Sequence, residues 1–172
     1  MEHIHDDLLH IFWPGTEYVD SQGVKNRGLL ESAVARPFQS AFGEDAYPQI
    51  VDKAVALFHS LIANHPFHDG NKRTAVTALQ HFLLANGFIL FLRNAEAYEA
   101  ATYAASYRER GTSHGEVVGH LRGLIESHML SLDVVEQMGA TGSESFRELL
   151  EQSLEFRARI RRSKMNALVP LL

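Results

Sequence analysis

The sequence contains no cysteine among its 172 residues. A disulfide framework and a thiolate metal site are therefore both excluded. The first fifteen residues, MEHIHDDLLHIFWPG, also lack the basic region and the apolar run of a cleaved signal peptide. These two absences fit a reducing compartment, and we expect a cytoplasmic protein.

Long apolar runs and an excess of positive charge are missing as well. No stretch approaches about 18 uninterrupted apolar residues, so no membrane-spanning helix is expected. The formal net charge is −5, whereas a protein that coats nucleic acid needs a broad basic field. With 45% hydrophobic residues the chain can still fill a core. We expect a soluble domain with neither a membrane nor an extended nucleic-acid partner.

Apolar residues recur at helical spacing in the middle of the chain. Residues 47–64 form a broad apolar face that predicts a buried helix. This helix must end near His65, because Pro66 cannot donate a backbone hydrogen bond and disfavours helical geometry before it. A second helix is predicted from Asn71 to the stop signal Asn86-Gly87.

The remaining patterns also favour a mostly α-helical bundle. Further helices are predicted at 27–36 and 94–110, and after the Ser113…Glu116 capping box. Residues 87–93 and part of 15–24 are the extended segments. Between the predicted helices at 27–36 and 47–64, residues 37–48 contain turn formers. They predict a mobile loop that lies over the binding site of the central segment.

The character of the sequence changes after Leu130. A small-residue stretch at 139–143 precedes a second capping box, Ser145…Glu148, and an amphipathic segment. We therefore predict a domain at 1–130 and a C-terminal helical extension of unknown role at 131–172. The apolar stripe of that extension is typical of a packing helix or of a contact in a homo-oligomer.

The segment HPFHDGNKRTA, residues 65–75, concentrates polar chemistry between the two central helices. A helix N-terminus offers free backbone N–H groups and a positive dipole end, which attract anions. Gly70 allows close backbone approach. Lys72 and Arg73 add two cations where the dipole disfavours them, and this conflict indicates a bound phosphate chain.

Three other residues of this loop complete the predicted site. Asp69 is placed to hold a divalent cation together with phosphate oxygens. His65 is a candidate general base for an incoming hydroxyl, and Phe67 is the buried anchor of the loop. Together the residues predict phosphoryl or nucleotidyl transfer with Mg²⁺. Taken singly, each has a structural explanation: a histidine after a buried helix, or a solvated Lys-Arg pair.

This segment resembles the signature of the Fic/Doc superfamily, H-P-F-x-D/E-G-N-G-R-x-x-R. Two positions depart from it: Lys72 stands at the glycine and Val76 at the final arginine. Both departures resemble the Doc, or death-on-curing, branch, and the similarity extends over most of residues 15–130. The resemblance implies a compact helical Fic/Doc fold with a small β-hairpin or flap, for which residues 37–48 are the candidate.

The resemblance also implies roles for the loop residues. His65 would deprotonate the acceptor, Asp69 would bind Mg²⁺, and Gly70 would let the backbone approach the nucleotide. The phosphates would be held by Asn71, Lys72 and Arg73, with Arg73 also counted as catalytic. His68 occupies a variable position of the signature, and we expect it to face solvent.

Members of the Doc branch are toxins of toxin-antitoxin pairs, so the resemblance implies an ATP- and Mg²⁺-dependent phosphotransferase. The implied acceptor is a threonine or serine of a protein, with elongation factor Tu as the expected target, and the implied partner is a cognate antitoxin. Lysine in place of glycine favours transfer of the γ-phosphate over transfer of AMP.

Three alternatives remain open at the level of sequence. The first is a Fic-type AMP-transferase, and the second is a non-catalytic module that binds an antitoxin. The third is a metal-dependent phosphohydrolase of the HD type, built from His68-Asp69, His65 and the histidines and aspartates of residues 3–7. This third alternative leaves Gly70, Lys72 and Arg73 without a role.

Overall fold

The computed structural model describes residues 23–141, and this part of the chain is mostly α-helical. The helices and strands follow one another in this order: α1 (Arg27–Ala35), a 3-10 turn (Arg36–Phe38), β1 (Ser40–Ala41), β2 (Glu44–Asp45), α2 (Ile50–Asn64), α3 (Asn71–Ala85), β3 (Phe88–Leu90), α4 (Asn94–Ser106), α5 (His114–His128), β4 (Met129–Ser131) and α6 (Leu132–Thr141). The predicted fold class is confirmed.

Helix α2 is the centre of the bundle and packs against α1, α3, α4 and α5. Its broad apolar stripe is buried, as the spacing predicts, with Phe58 only 1% exposed. The helix begins at Ile50, three residues later than predicted, since Pro48 and the extended Gln49 precede it. It ends where predicted, with His65 as its C-cap.

Helices α1 and α2 run in opposite directions. The Asn64 side chain, near the end of α2, donates to the carbonyl of Leu29, near the start of α1. Lys53, near the start of α2, donates to the carbonyl of Pro37 beyond the end of α1. The connection from α1 to α2 therefore lies beside the first turns of α2.

That connection contains the predicted hairpin. Strands β1 and β2 pair antiparallel across Phe42-Gly43, whose φ angles of 56° and 87° are those of a tight hairpin turn. Lys53 forms an ion pair of 2.9 Å with Asp45 and fixes the hairpin to α2. Because α2 is about 22 Å long by helical rise, the hairpin is anchored at the end of α2 away from His65. The position predicted for residues 37–48, over the HPFHDG loop, stays a prediction.

The last described elements pack onto the bundle. Strand β4 pairs antiparallel with β3, and α6 follows it directly. Leu132 and Val135 of α6 are buried, and this helix lies at the start of the predicted extension, ahead of its amphipathic segment. The division after residue 130 stays a prediction, and the amphipathic segment from Ser145 lies outside the described residues. Within residues 23–141 no helix is long and apolar enough to cross a membrane.

Candidate active site

The loop between α2 and α3 is held by the segment just before α1. The carbonyl oxygen of Pro66 accepts backbone N–H groups from Lys25 at 2.7 Å and from Asn26 at 3.0 Å. Val24 forms an antiparallel bridge with Phe67. The loop is therefore fixed by backbone hydrogen bonds, which depend little on the identity of the side chains.

Two buried side chains anchor the middle of the loop. Phe67 is 2% exposed and joins the hydrophobic core, and Pro66 is fully buried. Burying an aromatic ring of this kind contributes roughly 2–3 kcal/mol. The predicted role of Phe67 as the anchor agrees with this burial.

Asn71 closes the loop from its other side. Its side-chain oxygen accepts the backbone N–H of Phe67 at 3.0 Å, and its amide nitrogen donates to the carbonyl of Phe67 at 2.9 Å. The same amide nitrogen lies 3.2 and 3.3 Å from the two ring nitrogens of His65. The side chain is buried, so Asn71 links the shape of the loop to the position of the histidine.

His65 is exposed and has left-handed backbone geometry, with φ at 47°. This conformation is uncommon for a residue with a side chain and costs on the order of 1 kcal/mol. The fixed loop maintains it and turns the chain sharply after α2. The imidazole is thus accessible from solvent while Asn71 contacts it.

Asp69 and Gly70 lie at the start of α3. The Asp69 carboxylate accepts the backbone N–H of Gly70 at 2.6 Å and is exposed. Gly70 has φ at 74°, and a Cβ built there would meet no atom within 4 Å. The turn thus requires a residue that tolerates positive φ, and it leaves open space above the helix start.

An exposed carboxylate beside this open space fits Mg²⁺, which takes one or two carboxylates and completes its shell with phosphate oxygens and water. Among residues 23–141 no group of three or more histidine, aspartate or glutamate side chains could hold a metal ion. The N-terminal histidines and aspartates of the HD-type alternative lie outside that range. Asp69 is therefore the residue of the loop that would hold the ion.

Lys72 points toward α4. Its ammonium donates to the Thr102 hydroxyl at 3.2 Å and lies 5.1 Å from the centre of the Tyr98 ring. A hydrogen bond and a cation–π contact therefore hold this side chain against the neighbouring helix. Thr102 and Tyr98 were missed by sequence reasoning because about 30 residues separate them from the loop without any local pattern.

Arg73 and the first backbone N–H groups of α3 complete the site. Arg73 is exposed in the first helical turn, which contains no acidic residue. The first N–H groups of a helix have no partner within it, so they and Arg73 form an anion-attracting end. Val76, at the family's second arginine position, instead packs against the core.

His68 is exposed, as expected, and its backbone N–H donates to the carbonyl of Gly23 at 3.3 Å. The segment from Gly23 to Asn26 is the neighbour of the loop that sequence reasoning did not find. In the sequence, the only indication of this segment was the extended structure predicted within 15–24.

Comparison with known proteins agrees with this geometry. Residues 1–83 match the model of the Fic/DOC family. Over 64 residues the chain is 55% identical to a protein named Toxin Doc from Mycolicibacterium smegmatis (strain ATCC 700084 / mc(2)155). Residues 1–83 are therefore similar to the Fic/Doc family, and the chain is similar over 64 residues to a protein of the Doc type.

The Doc-type match covers 37% of this chain and 49% of the Mycolicibacterium protein, so the alignment spans about half the length of that relative. No solved structure gives a significant match. The similarity to Fic/Doc proteins therefore depends on residues 1–83, which include the entire HPFHDGNKR loop.

Proposed function

We propose that this protein is a Doc-like toxin that transfers the γ-phosphate of ATP to a threonine or serine hydroxyl of a protein. Elongation factor Tu is the expected target, and modification of it would inhibit translation. The observation that carries the proposal is the arrangement of the loop. An exposed histidine, an exposed carboxylate and the open start of a helix lie within nine residues, on a backbone held by buried anchors.

The loop residues suit the separate parts of such a reaction. His65 would accept the proton of the attacking hydroxyl, and a general base of this kind contributes about 10²–10⁴-fold in rate. The new bond joins the target oxygen to the γ-phosphorus, and the bond from that phosphorus to the bridging oxygen of ADP breaks. Arg73 and the N–H groups of α3 would bind the phosphate oxygens, where charge is spread during transfer.

Mg²⁺, held by Asp69, would neutralise phosphate charge when bound. Asn71 contributes to the chemistry by positioning His65, since its amide is already engaged with Phe67 and with the imidazole. Phosphate binding by Asn71 itself stays a prediction.

AMP transfer is the second candidate, and one observation favours it. The preference for γ-phosphate transfer depends on Lys72 filling the space that glycine leaves in AMP-transferring relatives. The Lys72 ammonium is instead held on Thr102 and Tyr98 of α4. A nucleotide with its α-phosphate toward the loop would then meet less obstruction.

Intact-mass spectrometry of a bacterial translation extract incubated with the protein, ATP and Mg²⁺ tests both candidates. The His65→Ala variant should be inactive yet folded, because the side chain is exposed. The matched control is His68→Ala, which removes another exposed histidine of the same loop and should retain activity. Circular dichroism of each variant checks the fold.

A mass gain of one phosphoryl group on elongation factor Tu, absent with His65→Ala, is the expected result. A gain of one adenylyl group on any protein would replace the first candidate by the second. Full activity in a folded His65→Ala variant would refute the role of His65 in either reaction. No adduct from the wild-type protein, even after any copurifying antitoxin has been removed, would favour a non-catalytic binding module.

A cognate antitoxin is part of this proposal, since the similar Mycolicibacterium protein is named a toxin. Coexpression with the open reading frame adjacent to the gene, followed by copurification, tests for one. Relief of growth inhibition by the neighbouring product is the expected result.

A further inference from the structure

A cavity of about 340 Å³ lies between α2, α5 and the segment that follows the hairpin. Its volume is at the lower end of the range for small-molecule sites, about 300–1,000 Å³. Apolar side chains such as Val55 and Val118 form part of the wall. The polar lining is mainly contributed by six residues: Arg36, Tyr47, Asp52, His59, His114 and Arg122.

The cavity is separate from the HPFHDG loop. Its lining includes no residue of 65–73. His59 precedes His65 by six residues, which is about 9 Å along the axis of α2, and Asp52 is about 20 Å away by the same measure. A ligand in the cavity would therefore bind beside residues 52–60 of α2, and the proposed transfer reaction takes place at the end of the helix.

The two arginines of the cavity differ in their partners. Arg122 forms an ion pair with Asp52 and donates to Gln49 at 2.6 Å, so its charge is largely balanced. Arg36 donates its Nε to the neutral hydroxyl of Tyr47 at 2.9 Å. Within residues 23–141 no carboxylate lies at ion-pair distance from Arg36. The charge of Arg36, unlike that of Arg122, is therefore not balanced by an ion pair.

The histidine wall is also electropositive. The rings of His59 and His114 meet edge to face, with centroids 4.8 Å apart. The pKa of His59 is lowered to about 4, first by burial and then by the nearby charges of His114, Arg108 and Arg36. Within the described residues the buried His59 Nε2 has no hydrogen-bond partner. The surroundings thus disfavour another cation and favour an anion.

We propose that this cavity is a second binding site, and that it takes a small molecule carrying one phosphate or carboxylate group. The Arg36 guanidinium is the principal contact for the oxyanion, since planar guanidinium groups pair with both oxyanions through two parallel hydrogen bonds. His114 and Tyr47 lie beside it, and the apolar wall accommodates the body of the ligand.

Histidine side-chain NMR of the full chain, titrated in parallel with inorganic phosphate and with succinate, tests the proposal. Both titrations use the Arg73→Gln background, so that phosphate binding at the start of α3 is weakened. Saturable shifts of the His59 and His114 signals are expected at millimolar concentration. Comparison of the two titrations shows whether the site prefers a carboxylate or a phosphate group. Saturable binding of either probe supports the site.

Arg36→Gln should weaken this binding by roughly tenfold or more, because a hydrogen bond to a charged group is lost. The matched control is Arg110→Gln, which removes an exposed arginine outside the cavity. This variant should bind both probes as tightly as the Arg73→Gln background does. His114→Gln is a second cavity variant with the same expected direction. Absence of saturable shifts with both probes, or equal binding by Arg36→Gln and the control, would overturn the proposal. Since transfer activity is never measured, the result is independent of the proposed function.

Discussion

The two ends of α2 are stabilised in different ways. At the C-terminal end, the HPFHDG loop is fixed by backbone hydrogen bonds to Lys25 and Asn26 and by the buried Phe67. At the N-terminal end, the hairpin and the cavity are connected to α2 by side-chain ion pairs of Lys53 and Arg122. One end is thus ordered by the main chain and the core, and the other by surface charges.

This difference indicates which end can tolerate change. Buried backbone hydrogen bonds are costly to lose, whereas partly exposed ion pairs contribute at most about 1 kcal/mol and weaken with salt. A catalytic loop requires geometry fixed to about 0.5 Å. The backbone hydrogen bonds and buried anchors of the C-terminal end favour such fixed geometry, and the hairpin end is suited to variation without loss of the fold.

Asn71→Ala should have the largest effect, because it leaves the buried N–H and carbonyl of Phe67 without their partner. We expect a loss of about 2–3 kcal/mol in the free energy of unfolding. We also expect a loss of transfer activity of about 100-fold or more, since His65 loses its positioning contact. Urea unfolding and the rate of target modification measure the two effects.

The matched control is Asn64→Ala, seven residues earlier. The Asn64 side chain donates a hydrogen bond to the carbonyl of Leu29 at 2.9 Å, on α1 rather than on the loop. Its loss should cost about 1 kcal/mol and leave the transfer rate nearly unchanged. Equal losses of stability and activity in the two variants would show that Asn71 does not hold the loop.

The pH dependence of stability should come from His59, which lines the cavity beside α2. The pKa of His59 falls from 6.5 to about 4 on folding, so below pH 6.5 the unfolded chain binds a proton that the folded protein does not. Stability is therefore complete above pH 6.5 and is lost as the pH falls from 6.5 to 4. Allowing for solvent screening, the expected loss is roughly 1–2 kcal/mol from this residue.

Thermal unfolding between pH 4 and 8 measures that loss, with His59→Gln beside the wild-type protein. The slope of stability against pH should be smaller in the variant. His68→Gln, in the exposed loop, should keep the wild-type slope. An unchanged slope in His59→Gln would mean that other groups cause the acid sensitivity, including His81, whose pKa burial also lowers to about 4.

The sequence was sufficient to predict α2, α3 and the loop between them, because the signals are local. Pro66 ends one helix, Gly87 follows the other, and the residues of the loop are contiguous. Turn formers predicted a loop at residues 37–48 and the family resemblance implied its hairpin, but its position depends on the antiparallel packing of α1 and α2. The contacts of Lys72 with α4 join residues 26 and 30 positions apart, and His59 and His114 of the cavity are 55 positions apart. No spacing in a single sequence encodes such contacts.

Thr102→Val should have a smaller effect, and it tests whether Lys72 must leave α4 to bind phosphate. If so, removing the Thr102 hydroxyl eliminates a competing hydrogen bond, and the KM for ATP should fall by roughly twofold to fivefold. Thr102→Ser retains a hydroxyl and should behave as the wild type. A rise in KM would instead show that α4 holds Lys72 in its working position.

Asp45→Asn should have the smallest effect. The substitution removes the charge that pairs with Lys53 but keeps the size of the side chain, and Asp45 is half exposed. We expect a loss of about 0.5 kcal/mol in the free energy of unfolding, which disappears at high salt because exposed pairs are screened. Transfer activity should be unchanged, since the hairpin lies at the far end of α2 from His65. A marked loss of activity toward the protein target, with ATP binding intact, would instead show that the hairpin contacts the target at a distance from the loop.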